Sequence, residues 1–118
     1  MKIPVAKPYL GVEEAQLAYD TILTNWVTQG PRVAEFEEKF AQYVGSEYAV
    51  AVSNCTTALH LSLIVAGIGP GDEVICPSMS YIATANAIVY VGATPVFVEV
   101  KSETYNIEPA DVERRITS

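Results

Sequence analysis

The sequence is poor in metal ligands. Its 118 residues hold one histidine and two cysteines. Cys55 and Cys76 stand alone, outside any C-x-x-C pattern, so spacing assembles no zinc or cluster site. It also lacks the standard phosphate cradles. There is no G-x-x-x-x-G-K-[ST] segment, and Gly67, Gly69 and Gly71 are spaced G-x-G-x-G between a predicted helix and a predicted strand. That is the wrong side of a strand for a dinucleotide fingerprint, so "GIGPGD" reads as a turn with Asp72 and Glu73 belonging to it. Positive charge is scarce: 7 Lys and Arg face 14 Asp and Glu, for a formal charge of −7. Such a balance argues against nonspecific binding to nucleic acid or to an anionic membrane surface. No apolar run approaches the roughly 20 residues of a membrane span. The opening "MKIPVAKPYLG" has two lysines but no continuous apolar segment, so no secretory signal is expected. With isolated cysteines and no sign of export, the expectation is a reduced, cytoplasmic protein.

Half of the residues are hydrophobic, enough for one compact domain or for part of a larger one. Repeats, low-complexity tracts and linkers are missing, and residues 1–118 read as one stretch without an internal boundary. Large or apolar residues at 12, 15, 19, 22, 23 and 26 predict a first helix from Val12 to Trp26, with one face buried and Trp26 closing it. "TQGP" breaks the pattern. A second helix is predicted from about Arg32 to Val44, stopped by Gly45. Strand and helix then alternate: "EYAVAV" (47–52) as strand, 56–67 as helix, "EVICP" (73–77) as strand, 81–92 as helix and "TPVFVEV" (94–100) as strand. A last helix begins near Pro109, a residue suited to a first helical position. Near-continuous apolar strands with short helical connections predict an α/β fold, a mostly parallel sheet flanked by helices.

Two strand-to-helix corners carry the candidate chemistry. "SNCTT" (53–57) follows the first predicted strand. Its small and hydroxyl residues suit a helix cap, and the unpaired N–H groups of a helix start also suit an anion. "SMSY" (78–81) follows Pro77 and places an aromatic ring, Tyr81, at the mouth of the next helix. In parallel α/β sheets ligands bind beyond the carboxyl ends of the strands, and both corners lie at that end. A phosphorylated planar ligand could use both, one for its phosphate and one for its ring; ordinary caps and core aromatics are the alternative. His60 has no identifiable acid–base partner and reads as a surface or packed histidine.

The order of these pieces resembles a known family. "IPVAKPYLG", "NWVTQGPRVAEFEEKFAQYVGSEYAVAVSNCTTALHLSL", "GIGPGDEVICPSMSYIATANAIVYVGATPVFVEV" and "ETYNIEPADVERRIT" together resemble the DegT/DnrJ/EryC1/StrS sugar aminotransferases, which use pyridoxal 5'-phosphate (PLP) on a type I fold. The resemblance covers essentially the whole chain, is similar in flavour to perosamine-forming enzymes, and reaches only the amino-terminal part of the large domain. It implies PLP as cofactor, a nucleotide-linked 4-keto-6-deoxy sugar as substrate, glutamate as amino donor and a homodimer.

By the same resemblance, the amides of Cys55 and Thr56 with the Thr56 hydroxyl would hold the cofactor phosphate, and Tyr81 would stack on its ring. Asn86 would neighbour the site, and Trp26, Thr28 and Gly30 would contact substrate. The family's usual phosphate segment resembles S-N/G-G-T-A, so Cys55 stands where a glycine is usual and Thr57 where an alanine is. If that glycine serves a positive φ, Cys55 brings strain; if it merely starts a helix, the change is harmless. The resemblance places the Schiff-base lysine and the carboxylate partner of the pyridine nitrogen beyond Ser118, and Lys2, Lys7, Lys39 and Lys101 do not match that lysine. No catalytic residue is therefore assigned in this chain, which alone is expected to be inactive, and marginal in stability, aggregated or supported by partner chains. A related dehydratase with histidine in place of lysine, and a noncatalytic phosphate-ligand module, are the alternative readings.

Overall fold

The computed structural model describes residues 3–4 and 6–117. They pack as two compact units that divide between Ala51 and Val52.

The first unit holds two helices, α1 (Val12–Leu23) and α2 (Pro31–Val44). At the start of α1 the Gly11 amide donates to Glu14 Oε2 at 2.6 Å, which holds that carboxyl below its usual range. Glu13 and Glu14 both lie in the first turn, where carboxylates complement the helix dipole. The helix ends three residues before the predicted Trp26. Asn25 turns to φ 59° and the Thr24 hydroxyl takes the Thr21 carbonyl at 2.6 Å, so Trp26 belongs to the following loop. In α2, Pro31 opens the helix and Gly45 closes it at φ 73°. A left-handed residue there lets the Ser46 amide reach back to the Ala41 carbonyl at 3.0 Å, a cap that glycine makes without a Cβ penalty. Arg32 and Lys39 both pair with Glu35, at 3.1 and 2.7 Å.

The one-sided burial expected of these helices does not occur within this unit. Among the described residues only Ala41 is buried, and α1 buries none. "EYAVAV" needs correction too: residues 47–52 form no strand and have no ladder partner among the described residues, and Tyr48 and Val50 are exposed. A strand exists only where a neighbour takes its amides and carbonyls, and no described segment does so. The Ala51 amide instead donates to Glu37 Oε1 at 2.7 Å.

The second unit carries α3 (Cys55–Val65), β1 (Glu73–Pro77), α4 (Ala83–Tyr90), β2 (Thr94–Val98) and α5 (Pro109–Arg115). β1 and β2 pair in parallel, in register from Glu73 opposite Thr94 to Pro77 opposite Val98. The expected α/β organisation is present as a small two-stranded parallel sheet with helices packed on it. β1 occupies the predicted residues, whereas β2 stops at Val98 and Val100 makes an isolated antiparallel bridge to Ile107. The "GIGPGD" turn is tied by Asp72, whose carboxylate accepts the Gly69 amide at 2.8 Å. A small core gathers Cys76, Ile88 and Ala93, with Leu63, Ile68, Val74 and Val91 against it. Asp111 is the buried carboxylate of the unit, 3% exposed. Its Oδ2 accepts the Glu99 amide at 2.8 Å, while Arg114 and Arg115 reach its Oδ1 at 3.0 and 3.6 Å, fastening α5 to the end of β2.

Candidate functional site

The bend at 53–57 is a well-formed helix start. Asn54 is the N-cap of α3 in an extended conformation, and its side-chain oxygen accepts the Thr57 amide at 2.9 Å and the Thr57 hydroxyl at 3.2 Å. Its amide group in turn donates to Ser53 Oγ at 3.2 Å. The Asn54 carbonyl accepts the Ala58 amide at 3.1 Å. Two donors are left over: among the described residues the Cys55 and Thr56 amides have no acceptor. Such amides at a helix start suit an anion. Thr57 spends its hydroxyl on the cap, which leaves the Thr56 hydroxyl as the side-chain donor beside the two amides.

The structure also answers the question Cys55 poses. It is the first residue of α3, and the non-glycine residues at positive φ are Asn25 and Tyr105 only among the described ones. Cys55 therefore carries no backbone strain, and its thiol is exposed.

Tyr81 precedes α4, with its ring exposed and its carbonyl taken by the Thr84 amide at 3.0 Å. The Ser80 and Thr84 hydroxyls bond at 2.7 Å, and the Ser78 amide extends the ladder to the Val98 carbonyl at 2.9 Å, so this corner is anchored to β2. The helix begins at Ala83, later than the predicted residue 81, because Tyr81 and Ile82 form its lead-in turn. Asn86 lies within α4, half-buried. His60 meets the Tyr90 ring edge-on at 5.7 Å, which makes it a packing residue between α3 and α4. The two corners sit at the starts of these two packed helices, and no hydrogen bond among the described residues joins them.

Trp26, Thr28 and Gly30 come together in the first unit. They line one cleft of about 380 Å³ with Thr24, Arg32 and Val33. The indole Nε1 donates to the Gln29 carbonyl at 2.7 Å, and the Trp26 amide donates to Thr24 Oγ1 at 3.2 Å. Periodicity places Trp26 on the helix; the internal hydrogen bonding of the loop takes it off. Sequence reasoning missed Arg32 as a cleft residue and Glu37 as an anchor for Ala51. Arg32 is visible in retrospect, one position inside a helix that starts at the cleft. The Glu37 contact spans 14 residues and leaves no local signal.

The sequence profile described as the DegT/DnrJ/EryC1/StrS aminotransferase family matches residues 8–118. The chain belongs to that family. It is 47% identical over 117 residues to the GDP-perosamine synthase of Caulobacter vibrioides, covering 98% of this chain and 32% of that protein. It is 45% identical over 115 residues to the spore coat polysaccharide biosynthesis protein SpsC of Bacillus subtilis, covering 98% of this chain and 30% of SpsC. Among solved structures, Spr1654 of Streptococcus pneumoniae, named as a sugar aminotransferase and solved in its PLP form, superimposes with a TM-score of 0.91 at 37% identity. That match covers 99% of this chain and 30% of Spr1654. The chain thus spans about a third of the length of the curated relatives it matches, and its α/β fold corresponds to the amino-terminal portion of fold type I PLP aminotransferases.

Proposed function

We propose that the complete protein is a PLP-dependent aminotransferase that transfers the amino group of glutamate to a nucleotide-linked 4-keto-6-deoxy sugar, working as a cytoplasmic homodimer. Residues 1–118 would then be part of one large domain. Family membership supports the reaction class, the likeness to a GDP-perosamine synthase supports the substrate class, and a neighbour solved in its PLP form supports the cofactor.

The observation that carries the reading is the start of α3. Asn54 takes the Thr57 amide and leaves the Cys55 and Thr56 amides open, a donor set that fits a phosphate. In this reading those amides and the Thr56 hydroxyl would hold the phosphate, and the Tyr81 ring would supply a flat face for the pyridine. Asn86 would border the ring, and Trp26, Thr28 and Gly30 would meet the sugar nucleotide. The chemistry PLP supplies when bound is an electron sink that eases removal of a proton beside the transferred amine. What this stretch of chain contributes is binding and orientation; the proton-transferring lysine belongs to the remainder of the family's length.

The test uses the complete protein. Reconstitution with PLP should give a visible absorbance band that borohydride abolishes, and glutamate with a nucleotide-linked 4-keto sugar should yield the amino sugar and 2-oxoglutarate. An intact protein that takes up no PLP after reconstitution rejects the reading.

A further inference from the structure

Gly30 has no conformational reason to be glycine. Its φ is 177°, extended backbone open to any residue. What it does have is an indole lying on it. A Cβ built at Gly30 would fall inside contact distance of Trp26 Nε1 and 2.8 Å from both Cδ1 and Cε2. Gly30 cannot yield, because its carbonyl accepts the Val33 and Ala34 amides at 3.0 Å each and so caps α2. The ring would have to move, and its bond from Nε1 to the Gln29 carbonyl would break.

The far side of the indole remains open, since Trp26 is 56% exposed and lines the cleft with Thr28 and Arg32. A volume of about 380 Å³ falls within the roughly 300–1,000 Å³ usual for small-molecule sites. We infer that Gly30 is a positioning residue: it seats the Trp26 indole as a fixed flat wall of this cleft, against which a sugar ring of the substrate lies. Carbohydrate C–H faces pack well on such a rigid aromatic surface. The inference rests on the proposed reading of the cleft as a substrate contact.

The experiment is a cycle in the complete, PLP-loaded protein with Gly30→Ala, Trp26→Phe and the double variant. Phenylalanine removes the tightest contact, at Nε1, and has no bond to the Gln29 carbonyl, so its smaller ring is free to turn away from the added methyl. Gly30→Ala should raise KM for the sugar nucleotide by about tenfold, with kcat and KM for glutamate little changed. Trp26→Phe should give a comparable rise, and the double variant should be no worse than either single one, as expected when both act on one contact. Trp26 emission, taken as the difference from the Trp26→Phe protein, should shift to the red in Gly30→Ala as the ring is unseated. Unchanged emission in Gly30→Ala, or effects of the two substitutions that simply multiply, would overturn the seat while leaving the cleft reading intact. A Trp26→Phe protein with unaltered KM for the sugar nucleotide would overturn both. If Gly30→Ala is insoluble, recovery of soluble protein in the double variant supports the seat, and failure to recover it refutes it.

Discussion

The two units differ in how they keep apolar side chains from water. In the second, β1, α4 and β2 follow one another in sequence and close around Cys76, Ile88 and Ala93, so neighbouring segments supply the partners. In the first, α1 and α2 carry apolar stripes, yet Leu17, Ile22, Phe36 and Phe40 stay exposed. A helix face is stabilised by what covers it, and two helices with one buried alanine have little of that. Amphipathic spacing thus states that a face wants a partner; it does not state how far along the chain the partner lies.

Ile88→Ala should have the largest effect. The residue is 2% exposed, and truncation in a packed core costs about 2–5 kcal/mol, readable as a lower denaturant midpoint of the complete protein. A loss no larger than that of a surface substitution would erase the distinction between the units. Next comes Asn54→Ala, which removes the α3 cap and should lower stability by about 1 kcal/mol while weakening PLP retention, measured by dialysis of the holoenzyme. Retention at the parent level would detach the cap from the proposed phosphate site.

Acid should act on a more local scale. The Asp111 carboxyl is held below its usual range chiefly by the Glu99 amide, with Arg114 and Arg115 assisting. A lowered folded-state value means that its contribution is complete above the unfolded value of about 3.9 and is lost as pH falls through the folded one. Amide exchange in α5 should accelerate below about pH 4, and Asp111→Asn should flatten that dependence; identical pH profiles for both proteins would refute it. The smallest effect is expected of Leu17→Ala in the 118-residue chain, within about 0.5 kcal/mol because the site is exposed there. A larger loss, read by circular dichroism on heating, would show that the first unit has a core after all.

Much of the second unit could be read from residues alone. β1 runs over the predicted "EVICP" and Pro109 opens α5, and in the first unit Gly45 ends α2 as expected, since each of these signals is a local steric or hydrogen-bonding preference. The failures share one cause. Residues 47–52 have strand composition, but pairing is a long-range event and they run unpaired. α1 ends short of its predicted limit because Trp26 fits helical spacing while its indole answers to Gln29, on the far side of a turn. At the 53–57 corner, the proposed phosphate site, the residue types are legible in the sequence, whereas the division of labour is not. Asn54 serves Thr57 and Cys55 sits in ordinary helical geometry because of how the bend folds in space, which composition does not specify.

The carboxylate of Asp111 ties a residue from the last helix to the amide at the exit of β2. Loss of the Asp111 carboxylate would therefore be felt a helix away from its own position: the Glu99 N–H would be left without its acceptor, and the second strand would fray from its far end.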